Sequence, residues 1–314
     1  MTFRLHPRFS KLIHTACLAV VVAASVNVKH AFASLTLATW NMEWLSDKGD
    51  IIQGQRKADD YLMMQTVVSV LNADLVAFQE VDSLYALSKV LNPNEYNFFL
   101  SDRAKYYTKS RGSNQFTGWA VRKGIQVIDH ADYKPLGLPT FLSRGNLRYG
   151  TYIEVVRDNQ PSLHLLSIHL KSGCFETPVR RNNSCKKLER QVDALSVWIK
   201  TRQELGQEFI IAGDFNHYMN INNEWVWESL VKGAGKDNLV NLSEFTQAKC
   251  KARRFNFRTK RWEQVVYDKL IDHIIASPGA ISSDITPLAK QFRYSYHTVA
   301  NYRLSDHCPV YVEL

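Results

Sequence analysis

Short apolar runs rich in β-branched residues recur along the chain, and each leads into a carboxylate, an amide or an imidazole. Leu35 to Trp40 runs into Asn41, and Leu75 to Gln79 into Glu80. Leu163 to Ile168 runs into His169, and Phe209 to Gly213 into Asp214 and Asn216. Lys269 to Ile271 precedes Asp272, and Arg303 to Ser305 precedes Asp306 and His307, ahead of a last strand-like stretch. Runs of this length bounded by turn residues read as buried strands. If the strands are neighbours, their polar ends meet on one edge of a core. The site formed there holds oxygen ligands for a hard cation and imidazoles that can move protons near neutral pH.

Helical signals lie between the runs. From Lys57 to Leu71, apolar residues at Tyr61, Leu62, Met64, Val67, Val68 and Leu71 keep close to a 3.6-residue period. A second helix is expected from about Lys187 to Glu204, with Leu188, Val192, Leu195, Trp198 and Ile199 on one face. Phe116 to Arg122, Ile125 to His130, Gly150 to Val156 and Leu163 to His169 read as strands separated by Gly, Pro and Asn turns. No internal repeat or low-complexity linker interrupts the pattern. With 314 residues, 45% of them hydrophobic, the chain can bury a substantial core. The alternation predicts one α/β domain with mixed sheets, outer helices and functional loops.

Residues 1–33 read as a secretory signal peptide rather than as part of that domain. Arg4, Arg8 and Lys11 precede an apolar stretch from Ala16 to Val26, and Ala31-Phe32-Ala33 offers a small-residue cleavage sequence before Ser34. The apolar stretch is shorter than the roughly 20 residues a membrane-crossing helix needs, so the expected product is residues 34–314, periplasmic or secreted and monomeric. The leader carries four basic residues and no acid, so the mature chain has 39 − 4 = 35 basic against 30 acidic residues, a net charge of +5. That balance is compatible with a polyanionic partner without requiring one. Four cysteines remain in the mature chain, and in an oxidising compartment Cys174 and Cys185 are expected to close a polar, Pro-containing loop. Cys308 reads as a buried free thiol, and its pairing with Cys250 is left open.

Each polar end has a plain structural alternative. Asp214 and Asn216 stand two apart, which in an extended strand puts both side chains on one side; an Asx turn gives the same pattern. Glu80 on its own could stabilise a helix start. Asp306-His307 is more specific, because acid and imidazole are adjacent in a turn that Pro309 stiffens before a strand. Asp272 could reach that imidazole, fix its tautomer and raise its basicity.

Together Thr39-Trp40-Asn41, Phe78-Gln79-Glu80, Ser167-Ile168-His169, Gly213-Asp214-Phe215-Asn216, Ile271-Asp272-His273 and Ser305-Asp306-His307 span nearly the whole mature chain. In this order they resemble the endonuclease/exonuclease/phosphatase superfamily, the fold of pancreatic-type deoxyribonucleases, apurinic endonucleases, neutral sphingomyelinases and inositol-polyphosphate phosphatases. The resemblance implies a four-layer α/β sandwich, two stacked mixed β-sheets flanked by helices. It implies Glu80 as the main metal carboxylate, helped by Asn41 and Asp306. His307 would be general base or electrostatic partner at the scissile phosphate, oriented by Asp272, while Asp214 and Asn216 position water and a phosphate oxygen. His169 would be the second imidazole; apurinic endonucleases carry an amide there, which argues against a dedicated abasic-site enzyme. The expected ion is Mg²⁺, with Mn²⁺ or Ca²⁺ as alternatives. Arg144, Tyr149 and Lys171 are candidate substrate contacts, and Glu43, two after Asn41, is expected to face solvent, with reach to the metal as the alternative.

Lys249, Lys251, Arg253, Arg254, Arg258, Lys260 and Arg261 cluster around Phe255, Phe257 and Trp262. Basic groups pair with phosphates and aromatic rings stack on bases, so a nucleic-acid strand is the expected partner and hydrolysis of DNA or RNA with low sequence specificity the expected activity. A solvated basic hairpin is the alternative. A lipid substrate is kept as well, because sphingomyelin or phospholipid diesters suit the same chemistry, although no long apolar hairpin stands out. Trp225 and Trp227 fit helix packing better than lipid contact. A polyanion-binding protein without turnover is the reading from another class, disfavoured by the complete acid, amide and imidazole set.

Overall fold

The computed structural model describes residues 1–2, 35–47, 56–106, 114–141, 147–176, 182–221, 224–256, 258–281 and 286–314. Residues 3–33 of the expected leader, with its cleavage sequence, lie outside these residues, as do Arg144 and Phe257.

Strands β1 (Thr36–Leu45) and β2 (Leu75–Val81) flank helix α1 (Ala58–Leu71), and the short helix α2 (Leu84–Ser88) leads to β3 (Tyr96–Leu100) and β4 (Phe116–Arg122). Then come β5 (Val127–Asp129), β6 (Thr151–Val155), β7 (Leu163–His169), α3 (Asn183–Glu204), β8 (Glu208–Asp214) and α4 (Trp225–Ala234). The rest comprises β9 (Val240–Asn241), β10 (Cys250–Asn256), β11 (Arg261–Tyr267), β12 (Asp272–Ala276), β13 (Lys290–Gln291), α5 (Tyr296–Asn301) and β14 (Val310–Glu313).

Twelve of these strands form two six-stranded sheets, ordered β13-β14-β1-β2-β4-β3 and β5-β6-β7-β8-β12-β9, while β10 and β11 pair separately as a hairpin. The sheets stack through a dry core that includes Leu37, Leu75, Ala77 and Trp119 from the first and Ile153, Leu165, Ile210 and Ile274 from the second. The outer face of the first sheet packs on α1 through Tyr61, Met64 and Val67. The outer face of the second packs on α3 and α4 through Leu188, Val192, Leu195, Trp198, Val226 and Leu230. The result is the expected four-layer α/β sandwich.

Local chemistry sets the helix ends. The Lys57 backbone N–H donates to Asp60 Oδ2 at 2.7 Å, and two acids in the first turn of α1 suit the positive end of its dipole. The Asn182 side chain accepts from the Ser184 N–H at 2.7 Å, so α3 begins at Asn183, a turn earlier than its apolar stripe indicates. Cys185 in that added turn bridges to Cys174, with Cα atoms 5.0 Å apart.

Two sequence expectations are corrected here. Cys308 is not a free thiol; it is bonded to Cys250, with a Cα separation of 5.5 Å. Asp272 does not end a strand but begins β12, which runs antiparallel to β8 with Asp272 opposite Asp214. An antiparallel strand brings its first residue to the edge where its neighbour ends.

Candidate active site

Two β-bulges create the first half of the site. Parallel strands β1 and β2 lose register between Asn41 and Leu45, and β2 and β4 between Phe78 and Val81. Bulges re-aim side chains at strand ends. Glu43, Trp44 and Glu80 all take left-handed φ values, 43°, 52° and 58°, a conformation that costs non-glycine residues energy and concentrates at functional sites. The turned backbone lets Glu80 Oε2 accept from the Trp44 N–H at 3.1 Å and Asn41 Oδ1 accept from the Glu43 N–H at 3.0 Å.

The second half comes from β7, β8 and β12. Asp214 closes β8 and is 1% exposed, yet it carries a carboxylate. Its Oδ2 accepts from Asn41 Nδ2 at 3.0 Å and Asn216 Nδ2 at 2.9 Å, and its Oδ1 from the Asn216 N–H at 2.8 Å. Burial, only partly offset by His307 and these donors, lifts Asp214 to a pKa of about 7. The sequence permits this closeness at Gly213, where a Cβ would lie 2.1 Å from the Ile168 carbonyl oxygen.

The turn before β14 joins the halves. His307 Nδ1 donates to Asp272 Oδ2 at 2.8 Å. Its Nε2 lies 4.0 Å from Asp214 Oδ2 and 3.9 Å from Asp306 Oδ1. Burial opposes a charge on this ring, but Asp272, Asp214 and Asp306 outweigh it and hold the imidazolium well above the usual histidine range. His169 is the opposite case: burial, with Arg148 and His307 nearby, pushes it well below that range, so it is neutral. Its Nε2 lies 3.5 Å from Asp214 Oδ2 and 3.7 Å from Glu80 Oε1. The Ser305 hydroxyl donates to the Asn41 carbonyl at 2.6 Å, and the Trp40 indole and Tyr294 hydroxyl both donate to the His307 carbonyl. Such fixed partners preorganise the turn.

Glu80, His169, Asp214, Asn216, Asp272, Asp306 and His307 line one cavity of about 620 Å³, with Asn41 hydrogen-bonded just beneath. Tyr149 is not among the lining residues: it is 2% exposed, and its ring lies against Gly137. Lys171 is also outside the lining, its Nζ donating to the Ser172 carbonyl at 2.7 Å. Glu43 does not face solvent. It is 6% exposed, with Oε2 3.7 Å from Arg56 Nη2, and burial, then Asp306, raises it to a pKa of about 8.

Sequence reasoning missed two arginines. Arg148 lines the cavity, and its charge acts on Glu80 and Asp214. Adjacent residues of an extended segment point to opposite sides, so Tyr149 enters the core where Arg148 reaches the cleft; alternation in Leu147-Arg148-Tyr149 was the available signal. Arg56 donates to the carbonyls of Met42, Glu43 and Leu304 at 2.6–2.9 Å, tying the β1 bulge to the His307 turn. Nothing in its sequence neighbourhood announces that role.

The donor set suits a hard divalent cation. Glu80 is partly buried, and its carboxyl is raised by desolvation and by the Asp306 charge. Carboxylates crowded in this way are relieved by a cation held through oxygen. Asp214, Asp272 and His307 also each offer a ligand atom, all within 4.8 Å of one another.

A family model described as "Endonuclease/Exonuclease/phosphatase family" matches residues 38–307. No curated protein matches the chain significantly. Among solved structures, beta toxin from Staphylococcus aureus is similar with a TM-score of 0.59 at 14% identity, covering 89% of this chain and 99% of that one. D. rerio TDP2 complexed with a single-strand DNA product gives 0.55 at 16% identity, covering 89% and 98%. A mannosyl-6-phosphatase from Bacteroides thetaiotaomicron gives 0.53 at 19% identity, covering 89% and 99%. At these identities the likeness establishes the fold alone.

Proposed function

Because the chain belongs to the endonuclease/exonuclease/phosphatase family, whose members are phosphoesterases and mostly metal-dependent, we propose that it is an exported, metal-dependent phosphodiesterase that hydrolyses DNA or RNA with little sequence preference. The observation that carries the choice of substrate is Arg254. It projects from the β10–β11 hairpin into the same cavity as Glu80 and His307. Between Lys249 and Tyr267 the hairpin segment has seven basic residues and one acid. A phosphodiester seated at the imidazoles thus continues into a basic track suited to the next phosphates of a strand. The TDP2 neighbour with its DNA product is consistent with that reading.

Mg²⁺ at Glu80, Asp306 and Asn41 would neutralise charge on the phosphoryl oxygens. Every other role falls to the chain. His307, held as imidazolium by Asp272, presents Nε2–H to a phosphoryl oxygen and acts as electrostatic clamp and proton donor. Asp214, titrating near neutrality, is placed to accept a proton from the attacking water, with Asn216 fixing its orientation. Neutral His169 and cationic Arg148 complete the polar wall around the phosphate.

The two disulfides are compatible with export, and among the described residues no helix is long and apolar enough to cross a membrane. The test is a substrate panel for the chain from Ser34 onward in Mg²⁺: supercoiled plasmid, single-stranded RNA and sphingomyelin vesicles. Nicking or RNA cleavage that EDTA stops, with vesicles untouched, supports the reading. Vesicle hydrolysis with nucleic acids intact would replace it by a lipid phosphodiesterase on the same fold.

A further inference from the structure

One wall of the cavity carries aromatic surface that the chemistry above does not use. Phe175 and Tyr218 both line it, their rings stacked with centroids 5.8 Å apart and planes 24° off parallel. Phe175 is 39% exposed, so part of its ring is open to solvent at the cavity wall. The pair is held in place. Phe175 follows Cys174, which is bridged to α3, and the Tyr218 N–H donates to the Phe175 carbonyl at 3.0 Å. The Lys269 ammonium, paired with Glu176, lies 4.8 Å from the centre of the Tyr218 ring.

Placement ties this wall to the reaction. Phe175 lies six residues after His169, Tyr218 two after Asn216, and Lys269 three before Asp272. All three sit on loops at the ends of second-sheet strands, whereas Glu80 and Asp306 belong to the first sheet and its final turn. A phosphate held between the imidazoles would therefore have the metal carboxylates and the aromatic pair on walls that different sheets contribute. The surroundings decide what the aromatic pair suits. Lys269, paired with Glu176, and Ser172 line the same cavity, so the aromatic pair has charged and polar neighbours. An aromatic pair with polar neighbours suits a planar heterocycle that stacks on one face and keeps its edges wet.

We infer that Phe175, backed by Tyr218, is a stacking subsite for a nucleobase beside the scissile phosphate. The inference deepens the nuclease reading and rests on it for the identity of the ring.

The test uses the chain from Ser34 onward and a single-stranded oligonucleotide carrying 2-aminopurine, titrated in EDTA so that binding is read without hydrolysis. The wild type should bind and quench the probe. Phe175→Ala should weaken binding about 5- to 150-fold, the range base stacking supplies, and abolish the quenching. Phe175→Leu, which keeps apolar bulk without a π face, should behave like the alanine variant, and Phe175→Trp should restore both signals. Wild-type affinity and quenching in Phe175→Ala overturn the subsite, and if that variant also cleaves nucleic acid normally the nuclease reading survives alone. Quenching that depends on Phe175 in a protein that hydrolyses no nucleic acid supports the subsite and refutes the nuclease. No binding of the oligonucleotide by wild type overturns both.

Discussion

His307 and Asp272 stand 35 positions apart in sequence and meet through one hydrogen bond. Two predictions belong to this scale. Replacing Asp272 by Asn removes the charge that does most to keep His307 protonated. kcat on a diester should fall about 10²- to 10⁴-fold with little change in melting temperature, and a rate within threefold of wild type would show that the pair does not serve the reaction. Away from the site, burial raises the Asp132 carboxyl to a pKa of about 7, although the Ser101 hydroxyl donates to it at 2.5 Å. A folded-state value above the unfolded one means the native protein binds the extra proton. This group's stabilisation is therefore fully present below about pH 4 and is lost as pH rises toward 7. Asp132→Asn should flatten that part of the urea-unfolding profile and add on the order of a few kcal/mol at pH 8. An unchanged profile would contradict it. Single residues were also where the sequence was least legible. Asp306-His307 could be read because the two are adjacent. Glu43 could not, because a bulge with left-handed backbone turned it inward from a position that alternation left open.

At the scale of elements, the candidate site residues sit where strands deviate from regularity. β7 and β8 approach so closely at Gly213 that Gly213→Ala must push a methyl group into the Ile168 carbonyl. Overpacking of this kind costs about 1–3 kcal/mol or more, and activity should fall with stability because Asp214 moves with the strand. A urea midpoint equal to wild type would refute the close approach. The Cys250–Cys308 bridge spans 58 residues and anchors the basic hairpin beside His307, whereas Cys174–Cys185 spans 11. Loop-closure entropy gives about 4 and 3 kcal/mol respectively. Cys308→Ser should thus destabilise the protein more than Cys185→Ser in urea titrations, and equal or reversed losses would show that strain or residual structure dominates. Strand spans and helix stripes were largely readable, since Phe116–Arg122 and Leu163–His169 match the observed strands. Starts set by capping, such as Asn183, were not, because a side-chain cap leaves no periodic signal.

At the scale of the whole molecule, a two-sheet sandwich delivers Glu80, Asn41 and the Asp306-His307 turn from one sheet, and His169, Asp214, Asn216 and Asp272 from the other, to a single rim. The polar residues ending six apolar runs were enough to foresee that convergence. The pairing of β12 against β8 and the covalent tie between Cys250 and Cys308 were not foreseeable, because both depend on contacts between distant segments. The central claim is that this rim is one metal-assisted phosphodiester-hydrolysing centre. The most direct test is hydrolysis of bis(p-nitrophenyl) phosphate, which asks nothing of nucleic-acid binding, by wild type in Mg²⁺ or Mn²⁺, by wild type in EDTA, and by folded Glu80→Ala and His307→Ala. The account predicts turnover in the first case and losses of at least about a hundredfold in the other three. Turnover that survives EDTA or either substitution would contradict it.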